Sequence, residues 1–147
     1  MTSTALGSST RIGGRGQMPL VIDASALVDL VLASPRGGRV ERAMSDDAVF
    51  VPELVDVEVA SALARLERAD EIDGALAEAA HLRCGAFPAE RVSHALLRDA
   101  AWSLRRSLRV ADAYYVACAA LVDGTLVTTD ARLARAPLPT ITVSVVR

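Results

Sequence analysis

The sequence predicts an α/β domain, a three-layer α/β/α sandwich around a short parallel sheet. Short apolar runs of strand length alternate along the chain with segments whose apolar residues recur at helical spacing. The composition supports this class, because 52% of the 147 residues are hydrophobic and only 3% are aromatic, so that Ala, Leu and Val must build the core. A chain of this length is expected to form one domain with a core of its own.

The domain itself is predicted over residues 18–147. Residues 1–17 are rich in Ser, Thr and Gly and predict a disordered leader. The leader lacks the apolar central stretch of a signal peptide, and the apolar run Leu20–Ala33 is too short to span a bilayer. We therefore expect a cytoplasmic protein.

Hydrophobic periodicity and turn residues together define the predicted elements. In chain order these are a strand at Pro19–Asp23, helices at Ala26–Leu32 and Gly38–Met44, a strand at Ala48–Val51, helices at Pro52–Ala69 and Ile72–Cys84, an extended segment at Pro88–Ser93, helices at His94–Leu108 and Val110–Leu121, a strand at Thr125–Thr128, a helix at Ala131–Ala136 and an edge strand at Ile141–Val145. Proline and glycine set several boundaries. Residues 35–38 are expected to break the first helix, and Pro52 to open the long helix at its favoured first-turn position.

Two aspartates stand at the ends of predicted strands. Asp23 and Asp130 each follow an apolar run and precede a helical pattern. Because a parallel α/β sheet collects its ligand-binding groups at the carboxyl ends of its strands, the two carboxylates are expected to converge. Gathered carboxylates raise one another's pKa, and a divalent cation with a preference for oxygen, Mg²⁺ or Mn²⁺, relieves that cost. Each Asp is also a suitable N-cap for the helix that follows it, so both interpretations stay open at this point.

Helical acids are further candidates. Asp112 lies in the first turn of the helix predicted at Val110–Leu121. In the long helix, Asp56 and Glu58 flank opposite edges of the apolar stripe, each about 80° from its centre. Periodicity therefore does not tell which of these two acids faces a site.

The basic and sulfur-containing residues exclude several classes of function. All 16 basic residues are Arg, and without lysine the chain cannot be a P-loop nucleotide-binding protein, a receiver domain or a haloacid-dehalogenase-like phosphatase. The net charge of −2 gives no global basic field, although local patches can still bind nucleic acid. Cys84 and Cys118 form no disulfide framework and complete no zinc pattern with the two histidines, so both are interpreted as buried small hydrophobes.

Four short motifs, taken in order, resemble those of a known family. They are Val21-Ile-Asp-Ala-Ser-Ala26, Val51-Pro-Glu-Leu-Val-Asp-Val-Glu-Val59, Ala111-Asp-Ala-Tyr-Tyr-Val-Ala117 and Thr128-Thr-Asp-Ala-Arg-Leu133. Each is weak alone, but their order and spacing resemble the PIN-domain ribonucleases, most closely the VapC-type toxins of type II toxin–antitoxin pairs. The resemblance covers about residues 18–147.

The resemblance implies a PIN-like fold and a metal-dependent endoribonuclease. It makes Asp23, Glu58, Asp112 and Asp130 the catalytic acids that hold Mg²⁺ or Mn²⁺, and so selects Glu58 over Asp56. Asp23 and Asp112 would be direct ligands, while Glu58 and Asp130 would bind a second ion or position water. The resemblance also implies an RNA substrate, a cognate VapB-type antitoxin that fills the acidic groove, and a homodimer formed through the helix hairpin at residues 52–84.

Other polar residues are candidates for binding the substrate. Ser25 matches a small hydroxyl residue that follows the first Asp in the family, but it is equally an N-cap for the first helix. Arg105, Arg106 and Arg109 cluster before Asp112 and could hold phosphates by bidentate contacts, or could form a solvated helix end.

Trp102 lies shortly before this arginine cluster, and we interpret it as a core residue rather than a base-stacking platform.

A catalytically inactive PIN-like module that binds RNA or protein is the alternative function. The presence of all four acids argues against this alternative. A nuclease directed at DNA stays open, since no residue in the sequence reads the 2′-hydroxyl of RNA.

Overall fold

The computed structural model describes residues 18–45, 47–138 and 141–147. The predicted leader at residues 1–17 lies outside the described residues. The elements are β1 (Leu20–Ile22), α1 (Ala24–Val31), α2 (Pro35–Met44), β2 (Val49–Pro52), α3 (Leu54–Arg68), α4 (Gly74–Ala86), β3 (Glu90–Val92), α5 (His94–Ser103), α6 (Val110–Val122), β4 (Thr125–Thr128), α7 (Ala131–Ala134) and β5 (Thr142–Val145). Within the described ranges, none of the helices has the length and apolar composition needed to cross a membrane.

The five strands form one parallel sheet in the order β3-β2-β1-β4-β5. The chain leaves the central strand β1 first toward β2 and β3, and later returns to its other side through β4 and β5. In such a sheet the connections diverge at one point, here between β1 and β4, and leave a crevice at the carboxyl ends of these strands. The predicted α/β sandwich with a short parallel sheet is confirmed.

Aliphatic side chains from the three central strands form the middle of the core. Val21, Ile22, Val51, Leu126 and Val127 are at most 1% exposed. Both cysteines are buried and free, as predicted. The largest fully buried side chain is that of Tyr115, which α6 carries into this aliphatic core.

The start of α2 differs from the prediction, because the first helix already ends at Val31 and residues 35–38 form the first turn of α2. Pro35 is at the first position of α2, and the hydroxyl of Ser34 caps the helix by accepting from the backbone N–H of Gly37 at 3.0 Å. A Cβ atom at residue 37 would lie 2.1 Å from the carbonyl oxygen of Asp29. Gly37 therefore permits the close approach of α2 to α1.

Other helix boundaries also shift. Pro52 is the last residue of β2 rather than the first of the long helix, and α3 begins at Leu54. Helix α1 begins at Ala24 with Asp23 as its N-cap, so that Ser25 is not the cap. Helix α5 ends at Ser103, before the predicted Leu108.

Trp102 is 60% exposed near the end of α5, and the prediction that it belongs to the core was wrong.

Candidate active site

A cleft of about 770 Å³ opens at the carboxyl edge of the sheet, and four acids line it. Asp23 follows β1, Asp130 follows β4, Glu58 lies on α3 and Asp112 lies in the first turn of α6. The structure thus brings together the four acids that the sequence nominated. Asp56, the rival of Glu58, lies outside the cleft and forms an ion pair with Arg91 of β3, at 2.8 Å.

Asp23 is buried, being only 6% exposed, and three donors hold its carboxylate. Its Oδ1 accepts from the backbone N–H of Ala26 at 2.9 Å and from the hydroxyl of Ser25 at 2.7 Å, and its Oδ2 accepts from the hydroxyl of Thr128. Burial raises the pKa of Asp23, and the charge of Asp130 adds to the rise, whereas the three hydrogen bonds oppose it. Asp23 both caps α1 and lines the cleft, so the two interpretations of this residue are compatible.

Thr128 connects the two strand-end aspartates. Its side chain is completely buried; the hydroxyl donates to Asp23 and accepts from the backbone N–H of Asp130 at 2.9 Å. The sequence did not predict this role. Threonine is common in strands because of its β-branched side chain, and no sequence pattern shows whether its hydroxyl also forms a structural hydrogen bond.

Glu58 is held by a tyrosine of α6. The hydroxyl of Tyr115 donates to Oε1 of Glu58 at 2.7 Å. Burial raises the pKa of Glu58, and the nearby charge of Asp112 raises it further, although the bond from Tyr115 opposes the rise. Burial and the carboxylate of Glu58 likewise raise the pKa of Tyr115, so that the phenol stays protonated and remains a donor.

Arginines neutralise the other two acids. The Nε of Arg109 lies 3.0 Å from Oδ2 of Asp112. The guanidinium of Arg132 lies 3.0 Å from Asp130 and 3.9 Å from Asp112, so that it bridges the two carboxylates. Burial raises the pKa of Asp130, but hydrogen bonds from the backbone N–H and the guanidinium of Arg132 outweigh it and hold the pKa below its usual range.

The chemistry of these donors fits a divalent cation, since carboxylate oxygens are the ligands that Mg²⁺ and Mn²⁺ prefer. Across the described residues, however, no three His, Cys, Asp or Glu side chains stand close enough together to enclose a metal ion. Asp112 and Asp130 are directed at guanidinium groups instead. A cation shared by these carboxylates would therefore compete with Arg109 and Arg132.

Of the residues predicted to bind the substrate, some line the cleft and one lies elsewhere. Ser25 and Arg109 line the cleft. Arg105 does not line it; its guanidinium stacks 4.6 Å from the centre of the Trp102 ring and donates to the Trp102 carbonyl at 2.9 Å.

Three arginines that the sequence reasoning did not nominate also line the cleft, namely Arg36 of α2 and Arg65 and Arg68 of α3. Helical spacing could have predicted that Arg65 lies on the same side of α3 as Glu58. Glu58, Ser61, Ala62 and Arg65 recur at intervals of three or four residues and so share one face of α3.

Comparisons with known proteins identify the family of this chain. The family model "PIN domain" matches residues 20–138. Ribonuclease VapC3 of Mycobacterium tuberculosis is 41% identical over 118 residues, which cover 80% of this chain and 86% of that protein. Ribonuclease VapC1 of the same organism is 36% identical over 119 residues, which cover 80% of this chain and 90% of the relative.

Two crystal structures share the fold. That of VapBC2 from Rickettsia felis bound to a DNA fragment from their promoter matches with a TM-score of 0.60 and 12% identity, over 86% of this chain and 98% of the matched chain. That of FitAcB from Neisseria gonorrhoeae matches with a TM-score of 0.52 and 17% identity, over 84% and 95%. The chain belongs to the PIN-domain family, and within it to the relatives of the VapC ribonucleases.

Proposed function

We propose that this protein is an endoribonuclease, the toxin of a toxin–antitoxin pair, and that it hydrolyses RNA phosphodiester bonds in the acidic cleft. The cleft lined by Asp23, Glu58, Asp112 and Asp130 is the observation that carries the proposal. The names of the relatives support it, because a chain 41% identical over most of its length is a ribonuclease.

The four acids bind Mg²⁺ or Mn²⁺ in this proposal, with Asp23 and Asp112 as direct ligands. A cation bound there supplies a water of lowered pKa and neutralises charge on the scissile phosphate. Asp23 is suited to a fixed position because three hydrogen bonds hold it. Glu58 is suited to accept a proton from water, since burial raises its pKa above that of an ordinary glutamate.

Arginines of the cleft bind the RNA backbone. Arg109, Arg36, Arg65 and Arg68 all line the cavity that contains the acids, and guanidinium groups bind phosphate oxygens in a bidentate manner. Ser25 can contribute a hydroxyl at the same wall, although its present bond is to Asp23. We assign the binding of phosphates to these four arginines and not to Arg105, which lies outside the cleft.

A cleavage assay tests the catalytic assignment. In the presence of Mn²⁺ or Mg²⁺ we expect Glu58→Gln and Asp112→Asn to lower the cleavage rate of RNA by roughly 10²-fold or more, and chelator to abolish cleavage by the parent. Asp56→Asn is the matched control, because this acid lies on the same helix as Glu58 but pairs with Arg91 outside the cleft.

Thermal melts must show that all three variants fold. Rapid cleavage by both cleft variants would refute the assignment, and a parent that binds RNA without cleaving it would support the inactive module instead. A DNA oligonucleotide of the same sequence in this assay tests the choice of RNA over DNA.

The family also supports two protein partners, a VapB-type antitoxin and a second copy of this chain. Val57 on α3 and Leu82 on α4 are 67% and 63% exposed, so the helix hairpin offers apolar surface for such contacts. We expect the purified protein to have the molar mass of a dimer in light scattering and Leu82→Asp to weaken the dimer, since Leu82 is exposed on α4 and lies outside the acidic cleft. A parent that is monomeric at micromolar concentration would contradict the homodimer.

A further inference from the structure

A second cavity, of about 340 Å³, lies beside the exposed tryptophan. Its walls are Arg98, Asp99 and Trp102 of α5 with Val110 and Tyr114 of α6. The volume is at the lower end of the range of small-ligand pockets. The Trp102 ring is 60% exposed, and an exposed aromatic ring at the wall of a cavity offers a face on which a nucleobase can stack.

Helix α6 separates this cavity from the acidic cleft. Val110 and Tyr114 line the second cavity, whereas Asp112 and Tyr115 line the cleft. At about 100° per residue the two pairs are centred roughly 150° apart, on opposite faces of one helix. Arg109 is the N-cap residue of α6 and lines the cleft, so it lies where a strand would cross from one cavity to the other.

The chain segment that contains α5 and the start of α6 is basic in sequence, although the whole chain has a net charge of −2. Residues 94–110 contain one acid, Asp99, and four arginines, at positions 98, 105, 106 and 109. The guanidinium of Arg105 stacks on the Trp102 ring at 4.6 Å but does not line the cavity, so it does not fill it. This charge complements a nucleic-acid strand better than it complements an apolar protein segment.

We propose that this cavity is a nucleobase-binding subsite, in which one unpaired base of the RNA substrate stacks on Trp102. The subsite rests on the proposed ribonuclease function and extends it, since it adds a contact to an unpaired base outside the acidic cleft. Asp99 and Arg98 pair with each other at 3.3 Å, and both side chains are exposed. The carboxylate can also accept from an exocyclic amino group at the rim, and the guanidinium can also donate to a ring or carbonyl acceptor. A helix about 10–12 Å wide separates the sites, so a strand that reaches both must pass around the N-terminus of α6, where Arg109 lies.

Trp102 is the only tryptophan of the chain, and its fluorescence therefore reports on the subsite directly. The full-length protein is titrated, in chelator to prevent cleavage, with a single-stranded RNA of about ten nucleotides and with a set of copies that each carry one abasic nucleotide. We expect the intact RNA to quench Trp102. One abasic position should abolish the quenching and weaken binding about tenfold, as the loss of one stacked base does.

Fluorescence anisotropy of labelled RNA extends the test to variants without tryptophan. Trp102→Leu should bind intact RNA about tenfold more weakly and should no longer distinguish it from the abasic copy, while Trp102→Phe should restore the distinction. Leu96→Ala is the matched control, because Leu96 is an apolar residue of α5 that is 69% exposed and lies outside the cavity.

Two results would overturn the subsite. One is saturating RNA that leaves the fluorescence of Trp102 unchanged. The other is a Trp102→Leu protein that binds intact and abasic RNA as the parent does. The subsite is equally refuted if RNA binding is unchanged and the substitution disrupts only dimerisation or antitoxin binding. Cleavage assays with Mn²⁺ separate the two proposals. If the parent cleaves RNA but Trp102→Leu binds RNA as the parent does, the subsite alone is refuted. If the parent never cleaves RNA, the proposed nuclease function is refuted.

Discussion

Individual side chains hold the four carboxylates of the cleft in two different ways. Asp23 and Glu58 accept hydrogen bonds from hydroxyl groups, and burial raises the pKa of both. Asp112 and Asp130 instead pair with guanidinium groups. The four acidic positions could be predicted from the sequence because each lies within one of the four motifs that resemble the PIN-domain family. Their partners could not, because Tyr115 and Thr128 belong to residue types that fill cores and strands equally well.

The hydroxyl of Thr128 offers a prediction at this scale. Thr128→Val keeps the shape of the side chain but leaves Oδ2 of Asp23 and the backbone N–H of Asp130 without this partner. We expect a loss of about 1–3 kcal/mol in the free energy of unfolding at pH 7, measured in urea. The bond lowers the pKa of Asp23, so its removal raises the folded-state pKa further, and the loss should be greater at pH 7 than at about pH 4.

Thr128→Ser is the control for this change. It removes one buried methyl group, which costs about 0.8 kcal/mol, but it keeps the hydroxyl, so its cost should be the same at both pH values. A Val variant whose cost is also independent of pH would show that the hydroxyl does not stabilise the ionised form of Asp23.

Among the helices and strands, local patterns and tertiary contacts decide different features. The strands were predicted within about two residues, most of them from short apolar runs and β3 from an extended segment between two helices, but α2 was predicted to start late. Proline and glycine at positions 35–38 are typical of a break, and only the packing of α2 on α1 explains why a glycine lies inside the helix. In that packing Gly37 lies against the backbone of Asp29 in α1, and the sequence of α2 alone does not predict this contact.

Gly37 and Gly38 provide a matched pair of substitutions in α2. An added Cβ at residue 37 meets the carbonyl oxygen of Asp29 at 2.1 Å, whereas at residue 38 the nearest atom is the flexible end of Arg42 at 3.6 Å. We expect Gly37→Ala to lower the free energy of unfolding by about 2 kcal/mol, because α2 must move away from α1. Gly38→Ala should leave it unchanged or raise it by up to about 1 kcal/mol.

Chemical denaturation of both variants measures these changes. Equal stabilities for the two would mean that α1 and α2 do not approach each other closely in solution.

For the whole molecule, the strand order assembles the site from residues far apart in the chain. Since β1 and β4 are neighbours, Asp23 and Asp130 meet at the point where the connections diverge, and this convergence followed from the rule for parallel sheets. The choice between Asp56 and Glu58 did not, since both flank the apolar stripe of α3. Tertiary contacts separate them: Arg91 of β3 pairs with Asp56, and Tyr115 of α6 donates to Glu58.

A site built from such distant elements should couple metal binding to the stability of the entire domain. The unfolded chain does not gather the four acids, so Mn²⁺ at a hundredfold excess over its dissociation constant should stabilise the parent by about 2.7 kcal/mol. For a domain of this size that is a rise of about 5–10 °C in Tm.

Glu58→Gln should respond differently from the parent in thermal melts. In chelator it should melt no lower than the parent at pH 7, because burial disfavours the ionised form of Glu58 and the amide oxygen can still accept from Tyr115. With Mn²⁺ its Tm should rise less, since the site loses one of its four carboxylates. Asp56→Asn should show the full rise, because its carboxylate pairs with Arg91 outside the cleft. Equal rises for the parent and Glu58→Gln would remove Glu58 from the metal site, and a parent without any rise would mean that Arg109 and Arg132 keep the carboxylates from the cation.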